Sequence, residues 1–192
     1  MINLKIDPEF QSQIPPLTDD EFKQLEENIL KEGKLISPLI VWNNTLVDGH
    51  NRYAILQKHP EIYFSTMPLR FANREEALAW ICKNQLGRRN LSPEQKRYLL
   101  GKQYESEKKA EKIFHGNQYT LAKKSGGSHD DTHHSGKKTC DRIAEENGVS
   151  RASVLRARHY TKGVDIADTD IPSPRKTAIL FNWMTSSSEN TL

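Results

Sequence analysis

The chain is 192 residues long, with 35% hydrophobic residues, 28% charged residues and a formal net charge of +3 at pH 7. That length holds one medium domain or two small ones, and no apolar run approaches the roughly 20 residues of a membrane helix, so no membrane partner is expected. A charge of +3 is too small to imply a nucleic-acid partner by itself; only its distribution along the chain can do so.

The N-terminal MINLKIDPEF lacks a basic region followed by an apolar stretch and does not read as a signal peptide. In PLTDDEFKQLEENILKEGK, Thr18 and Glu21 stand at capping-box spacing, Phe22, Leu25 and Ile29 form an apolar stripe, and Gly33 ends the helix. Residues 37–42 (SPLIVW) read as a strand, Asn43-Asn44 as a hairpin turn, and TLVDG as the returning strand. His50 to Lys58 is helical in pattern, with Tyr53, Ala54 and Leu56 as candidate core residues, and MPLRF (67–71) is a further short strand. Asn73 with Glu76 caps a helix that ends near Gly87. Ser92, Pro93 and Gln95 open a long helix to about Ile113. The order predicts a small α+β domain over 1–91, a long helix over 92–114 and an all-α region beyond.

Residues 115–138 are rich in Gly, Ser, His, Asp and Lys and read as a flexible linker. His129, Asp130, Asp131, His133 and His134 cluster there, but nothing rigid positions them and no metal site is expected. Cys82 and Cys140 are far apart and without companions at zinc-site spacing, which predicts two reduced thiols in a cytoplasmic protein.

Residues 137–162 carry Lys137, Lys138, Arg142, Arg151, Arg156, Arg158 and Lys162 against Asp141, Glu145 and Glu146, a local basic excess. Within it, residues 139–164 have the spacing of a helix-turn-helix. Ala144 is small where the second helix must cross, Gly148 falls where the turn needs positive φ, and Val149 and Val154 are apolar where the crossing buries them. Ser150 caps a second helix that presents Arg151, Ser153 and Arg156 near its start, where base edges and phosphates would lie. An ordinary helical hairpin shares the small residue and the glycine; the arginines and serines favour double-stranded DNA as the partner. Residues 165–192 form a tail whose TAILFNWM segment has apolar residues for a partner copy, so a homodimer on DNA is expected.

LVDGHNRYAIL (46–56) places an acid, a glycine, a histidine, an asparagine and an arginine where a strand becomes a helix. A glycine there leaves backbone N–H groups free at a helix N-terminus, a ready anion site. Arg52 can add a bidentate phosphate contact, Asp48 can orient a neighbour and His50 can donate to an oxyanion. A tight turn with polar caps is the plainer reading, and local chemistry weighs the two equally.

The run from PLTDDEFKQLEENILKEGKLISPLIVWNNTLVDGHNRYAIL to CKNQLGRRNLSPEQKRYLLG resembles the N-terminal domain of the ParB and sulfiredoxin superfamily. With the helix-turn-helix, the resemblance covers roughly residues 15–165. ParB partition proteins carry a Gly-Glu-Arg-Arg motif at the turn, which here is Gly49, His50, Asn51, Arg52. Their Glu-Asn-x-x-Arg motif, before a Leu-Ser-Pro helix start, corresponds to Asn84 to Arg88, with Leu91-Ser92-Pro93 following. The resemblance implies that these residues, with Arg89 beside Arg88, hold the phosphates of CTP with Mg²⁺, or of another nucleotide, and that the nucleotide gates DNA binding. It implies a role in partition or in transcriptional regulation.

The departures are specific. His50 replaces the glutamate, Asn51 the first arginine, and Asn84 and Gln85 stand where the family has an acid and an asparagine. A neutral amide is a poor magnesium ligand, so at most weak CTP hydrolysis is expected. Sulfiredoxins place a nucleophilic cysteine in this turn; residues 48–53 contain none. A small-molecule kinase branch with an Asp-Gly-His-His-Arg turn is the enzyme alternative, although a free-standing kinase does not need a helix-turn-helix.

Overall fold

Leu39-Ile40 and Leu46-Val47 are adjacent apolar pairs. Neighbouring strand residues point to opposite faces, so a sheet built from them needs cover on both sides. The computed structural model describes residues 3–88, 91–122 and 138–169. Strands β1 (Lys5–Ile6), β2 (Leu39–Trp42), β3 (Thr45–Asp48) and β4 (Thr66–Pro68) form one sheet in the order β1-β3-β2-β4. On one face, Leu39 and Leu46 pack with Ile29 of α2 (Asp19–Glu32) and with Tyr53 and Leu56 of α3 (His50–Lys58). On the other, Ile40 and Val47 pack with Phe10 of α1 (Pro8–Ser12) and with Leu78 and Ile81 of α4 (Arg74–Leu86). Each such fully buried side chain contributes about 1.5–3 kcal/mol. The α+β class read from the sequence is the fold observed.

The β2–β3 hairpin turns on Asn43 and Asn44, with φ of 47° and 61°. Two successive positive φ values twist the chain in the sense that antiparallel strands require. Pairing runs Trp42 with Thr45 and Val41 with Leu46, then skips Val47 to pair Ile40 with Asp48. Such a bulge bends its strand and re-aims the side chains at its end, here at Asp48.

The capping signals act as read. Thr18 and Glu21 form a reciprocal capping box, and Gly33 closes α2 at φ 65°. Asn73 accepts from the Glu76 N–H at 2.9 Å, and Ser92 and Gln95 exchange bonds at 2.9 and 3.2 Å. Two core assignments need correction: Ala54 faces outward, and Ile55, fully buried, fills the core with Tyr53 and Leu56. The sequence reading also lacks β1 and α1. Asp7 opens α1, accepting from the Glu9 and Phe10 N–H groups at 2.9 and 3.2 Å, with proline at the first helical position.

Beyond the sheet, α5 (Pro93–Ala122) runs past the expected end near 114, so residues 115–122 are helical rather than linker. Extending an existing helix needs no new nucleation, and this stretch contains no proline. The rest of the expected linker up to 137, with its histidine cluster, and the tail from 170 lie outside the described residues. Leu100 and Tyr104 of α5 form a core with Cys140, Ile143 and Ala144 of α6 (Thr139–Glu146) and with Val154 and Ala157 of α7 (Arg151–Thr169).

At Gly101 the backbones of α5 and α7 nearly touch: an added Cβ would lie 2.3 Å from the Ala157 carbonyl oxygen. Nearby, the Lys102 ammonium bridges Glu9 of α1 at 3.3 Å and Asp165 of α7 at 2.9 Å. The Tyr98 hydroxyl donates to Asp165 at 2.8 Å. Burial works against the ammonium, but Asp165 and Glu9 outweigh it and hold its pKa above the ordinary lysine value. Among the described residues, no helix is long and apolar enough to cross a membrane.

Candidate functional site

Gly49 is required at the strand-to-helix turn for two reasons. Its φ is 101°, and a Cβ there would lie 2.7 Å from Leu39 Cδ2 and 3.1 Å from Arg52 Nη2. It stands at the N-cap of α3, where a serine or aspartate would supply a side-chain acceptor and glycine supplies none. The turn forms one wall of a cleft of about 430 Å³, with Arg88 at the rim. Glu21, Gln24, Leu25 and Asn28 of α2 form the facing wall, and Ile14 and Leu17 extend it.

Asp48 ends β3 and is held by two arginines. Arg52 Nη2 donates to Oδ2 at 2.9 Å, and Arg88 Nη2 approaches Oδ1 at 3.5 Å. Arg52 also donates through Nη1 to the carbonyl oxygens of Ser37 and Pro38 at 2.7 and 3.1 Å. Three of its five donors thus tie the start of β2 to the turn. Arg88 differs: its side chain is 45% exposed against 20% for Arg52, and the 3.5 Å contact is a loose one.

His50, the first residue of α3, lines the cleft and is 6% exposed. Neither ring nitrogen has a hydrogen-bond partner among the described residues. Burial pushes the ring below the ordinary histidine pKa, against the opposing pull of Asp48 and Asp7.

The structure brings Gly49, His50, Asn51, Arg52 and Arg88 to one cleft. Asn84 is exposed on α4 and does not line it. Gln85 is fully buried, with both amide atoms unpartnered among the described residues. Arg89 lies outside the described residues. The sequence reading missed the α2 wall, although Glu21, Gln24 and Asn28 recur at i, i+3 and i+7, one face of a helix.

At the second candidate surface, a short turn joins α6 and α7. Gly148 has φ 63°, and Ser150 Oγ accepts from the Ser153 N–H at 3.1 Å. Val154 is fully buried, whereas Val149 is 38% exposed and does not seal the crossing as expected; Cys140 and Ile143 do so from α6. Much of the basic excess is neutralised locally. Arg142 pairs with Glu107 and Glu146, and Arg158 and Lys162 share Glu105. Arg151 stands 3.6 Å from Asp141 and is 55% exposed. Arg156 is exposed, reaches only Ser153 Oγ at 3.4 Å, and has no carboxylate partner among the described residues.

No family model matches the chain, and no curated protein matches it. Its fold is similar to that of a solved pNOB8-like ParB N-domain in the C2221 crystal form. The TM-score is 0.55 at 21% identity, covering 80% of this chain and 64% of that one. A second structure of the pNOB8-like ParB N-domain matches with a TM-score of 0.52 at 22% identity, covering 80% and 60%. The chain thus spans about three fifths of the length of the structures it matches.

Proposed function

We propose that this chain, which has the fold of a ParB N-domain, is a sequence-specific DNA-binding protein of partition or transcriptional control, gated by a nucleotide. The observation that carries the DNA reading is Arg156. It stands in the first half of α7, beyond a glycine turn and a serine cap, exposed and without a carboxylate partner among the described residues. Ser150, Arg151, Ser153 and Arg156 would face the duplex, and a homodimer would read paired half-sites. Fragments selected from a random duplex pool by the full chain, then measured by fluorescence anisotropy, test this. Arg156→Ala is expected to lose about 1–3 kcal/mol of binding, roughly 5- to 150-fold. Arg158→Ala, whose guanidinium is already paired with Glu105, is expected to lose far less. Unchanged binding by Arg156→Ala, or no selected sequence, overturns the reading.

The gating ligand is CTP by resemblance. The uncapped N-terminus of α3, the unpartnered His50 and the exposed Arg88 fit a triphosphate. Magnesium fits less well. Of the two carboxylates among the cleft-lining residues, Asp48 is held by two arginines and Glu21 by its cap on Thr18. Mg²⁺ would therefore stay on the phosphates with its own water shell, giving weak magnesium dependence and slow or absent turnover. The same engagement of Asp48 disfavours the small-molecule kinase alternative, which needs a free base. Phosphate transfer from ATP to a hydroxyl compound would restore that alternative.

A further inference from the structure

His50 is the least explained polar group of the cleft. An imidazole 6% exposed with neither nitrogen bonded costs free energy that a pure packing position would avoid with leucine. It lines the cleft at the first residue of α3, where the uncapped end of the helix favours an anion and disfavours a cation.

We propose that the cleft binds its anionic ligand together with a proton, and that His50 is the group that takes the proton. This deepens the nucleotide reading above and rests on it. The charged groups facing the ring explain why the proton arrives only with the ligand. Asp48 at the end of β3 favours a charged ring but is compensated by Arg52 and Arg88. Asp7, before α1, also favours it but is paired with Arg74 of α4 at 2.8 Å. Both nearby carboxylates are already matched, so the free ring lacks a counter-charge and stays neutral. Phosphate oxygens at the α3 N-terminus reverse the sign of the local field. The imidazolium then donates to a phosphate oxygen, forming a charge-assisted bond that neutral histidine cannot match.

Three consequences are measurable on the full chain with magnesium-free CTP. Calorimetry at pH 7 in buffers of different ionisation enthalpy is expected to show net proton uptake on binding. Affinity is expected to rise as pH falls from 8 toward 6, approaching tenfold per pH unit where one proton is taken up. His50→Gln, which keeps a hydrogen-bonding side chain, is expected to lose this dependence. Because free CTP titrates identically in both experiments, a difference between the proteins reports the loss of His50, and the ring spectra place the proton. Long-range ¹H–¹⁵N spectra of the unmutated protein report the ring directly, neutral when free and doubly protonated when bound. A ring already charged at pH 7 in the free protein overturns the inference, as does CTP binding with a neutral ring and no difference in proton uptake between the two proteins. Failure of CTP, ATP and pyrophosphate to bind at any pH overturns the nucleotide reading itself, and the inference with it.

Discussion

Gly101→Ala is expected to lower the midpoint of thermal unfolding by about 6–12 °C, corresponding to a cost of about 3 kcal/mol for a chain of this size. The added Cβ would lie 2.3 Å from the Ala157 carbonyl oxygen, 2.3 Å from Thr161 Oγ1 and 2.6 Å from the Ala157 carbonyl carbon. A side chain could rotate away; the backbone of α7 cannot, so α5 and α7 must separate along the contact that buries Val154 and Ala157. The control is Gly163→Ala in α7, where a Cβ meets nothing within 4 Å. There alanine is expected to stabilise by up to about 1 kcal/mol through helix propensity alone. Circular dichroism melts of both variants decide it: equal midpoints would mean that the close crossing is absent in solution.

Arg52→Ala and Arg88→Ala are expected to fail in opposite ways. Removing Arg52 leaves the Ser37 and Pro38 carbonyls without this donor and Asp48 with only the 3.5 Å contact from Arg88. The expected loss is on the order of 2–3 kcal/mol of stability, because a charged hydrogen-bonding group is lost from a part-buried site. Arg88→Ala removes only a 3.5 Å contact from an exposed side chain, so its stability is expected to change by less than about 0.5 kcal/mol. Its CTP affinity is expected to fall roughly 10- to 100-fold, the worth of one charge-assisted phosphate contact. Melts and calorimetry on both variants separate the roles. If Arg88→Ala binds CTP unchanged, the phosphate role assigned to the rim is wrong.

Features written in local chemistry were legible in the sequence. The Asn43-Asn44 turn, the boxes at Thr18 and Ser92 and the start of α3 at His50 each depend on residues a few positions apart. What was missed depends on partners distant in the chain. β1 is two residues long, too short for any periodicity, and exists because it pairs with β3. Only the Asp7-Pro8 pair marked the helix after it. Nothing near Gly101 in the sequence announces that α7 crosses there. The resemblance correctly implied a ParB-like N-terminal fold. It also drew Asn84 into the candidate site, whereas the observed wall opposite the turn comes from α2. Composition overstated the basic surface near α7, because the acids that neutralise Arg142 and Arg158 lie on α5.

The position of Lys102 bears on how the molecule comes apart. Its ammonium joins Glu9, in α1, to Asp165, in α7, with Lys102 between them in sequence. Peeling α7 away would strand a largely buried cation beside a single carboxylate, and detaching α1 would do the same from the other side. Neither α1 nor α7 can detach without weakening the other's hold, which couples the two helices through Lys102. α7 is thereby tied to α1 as well as to α5, so a change that loosens α1 is expected to loosen the far end of α7 with it.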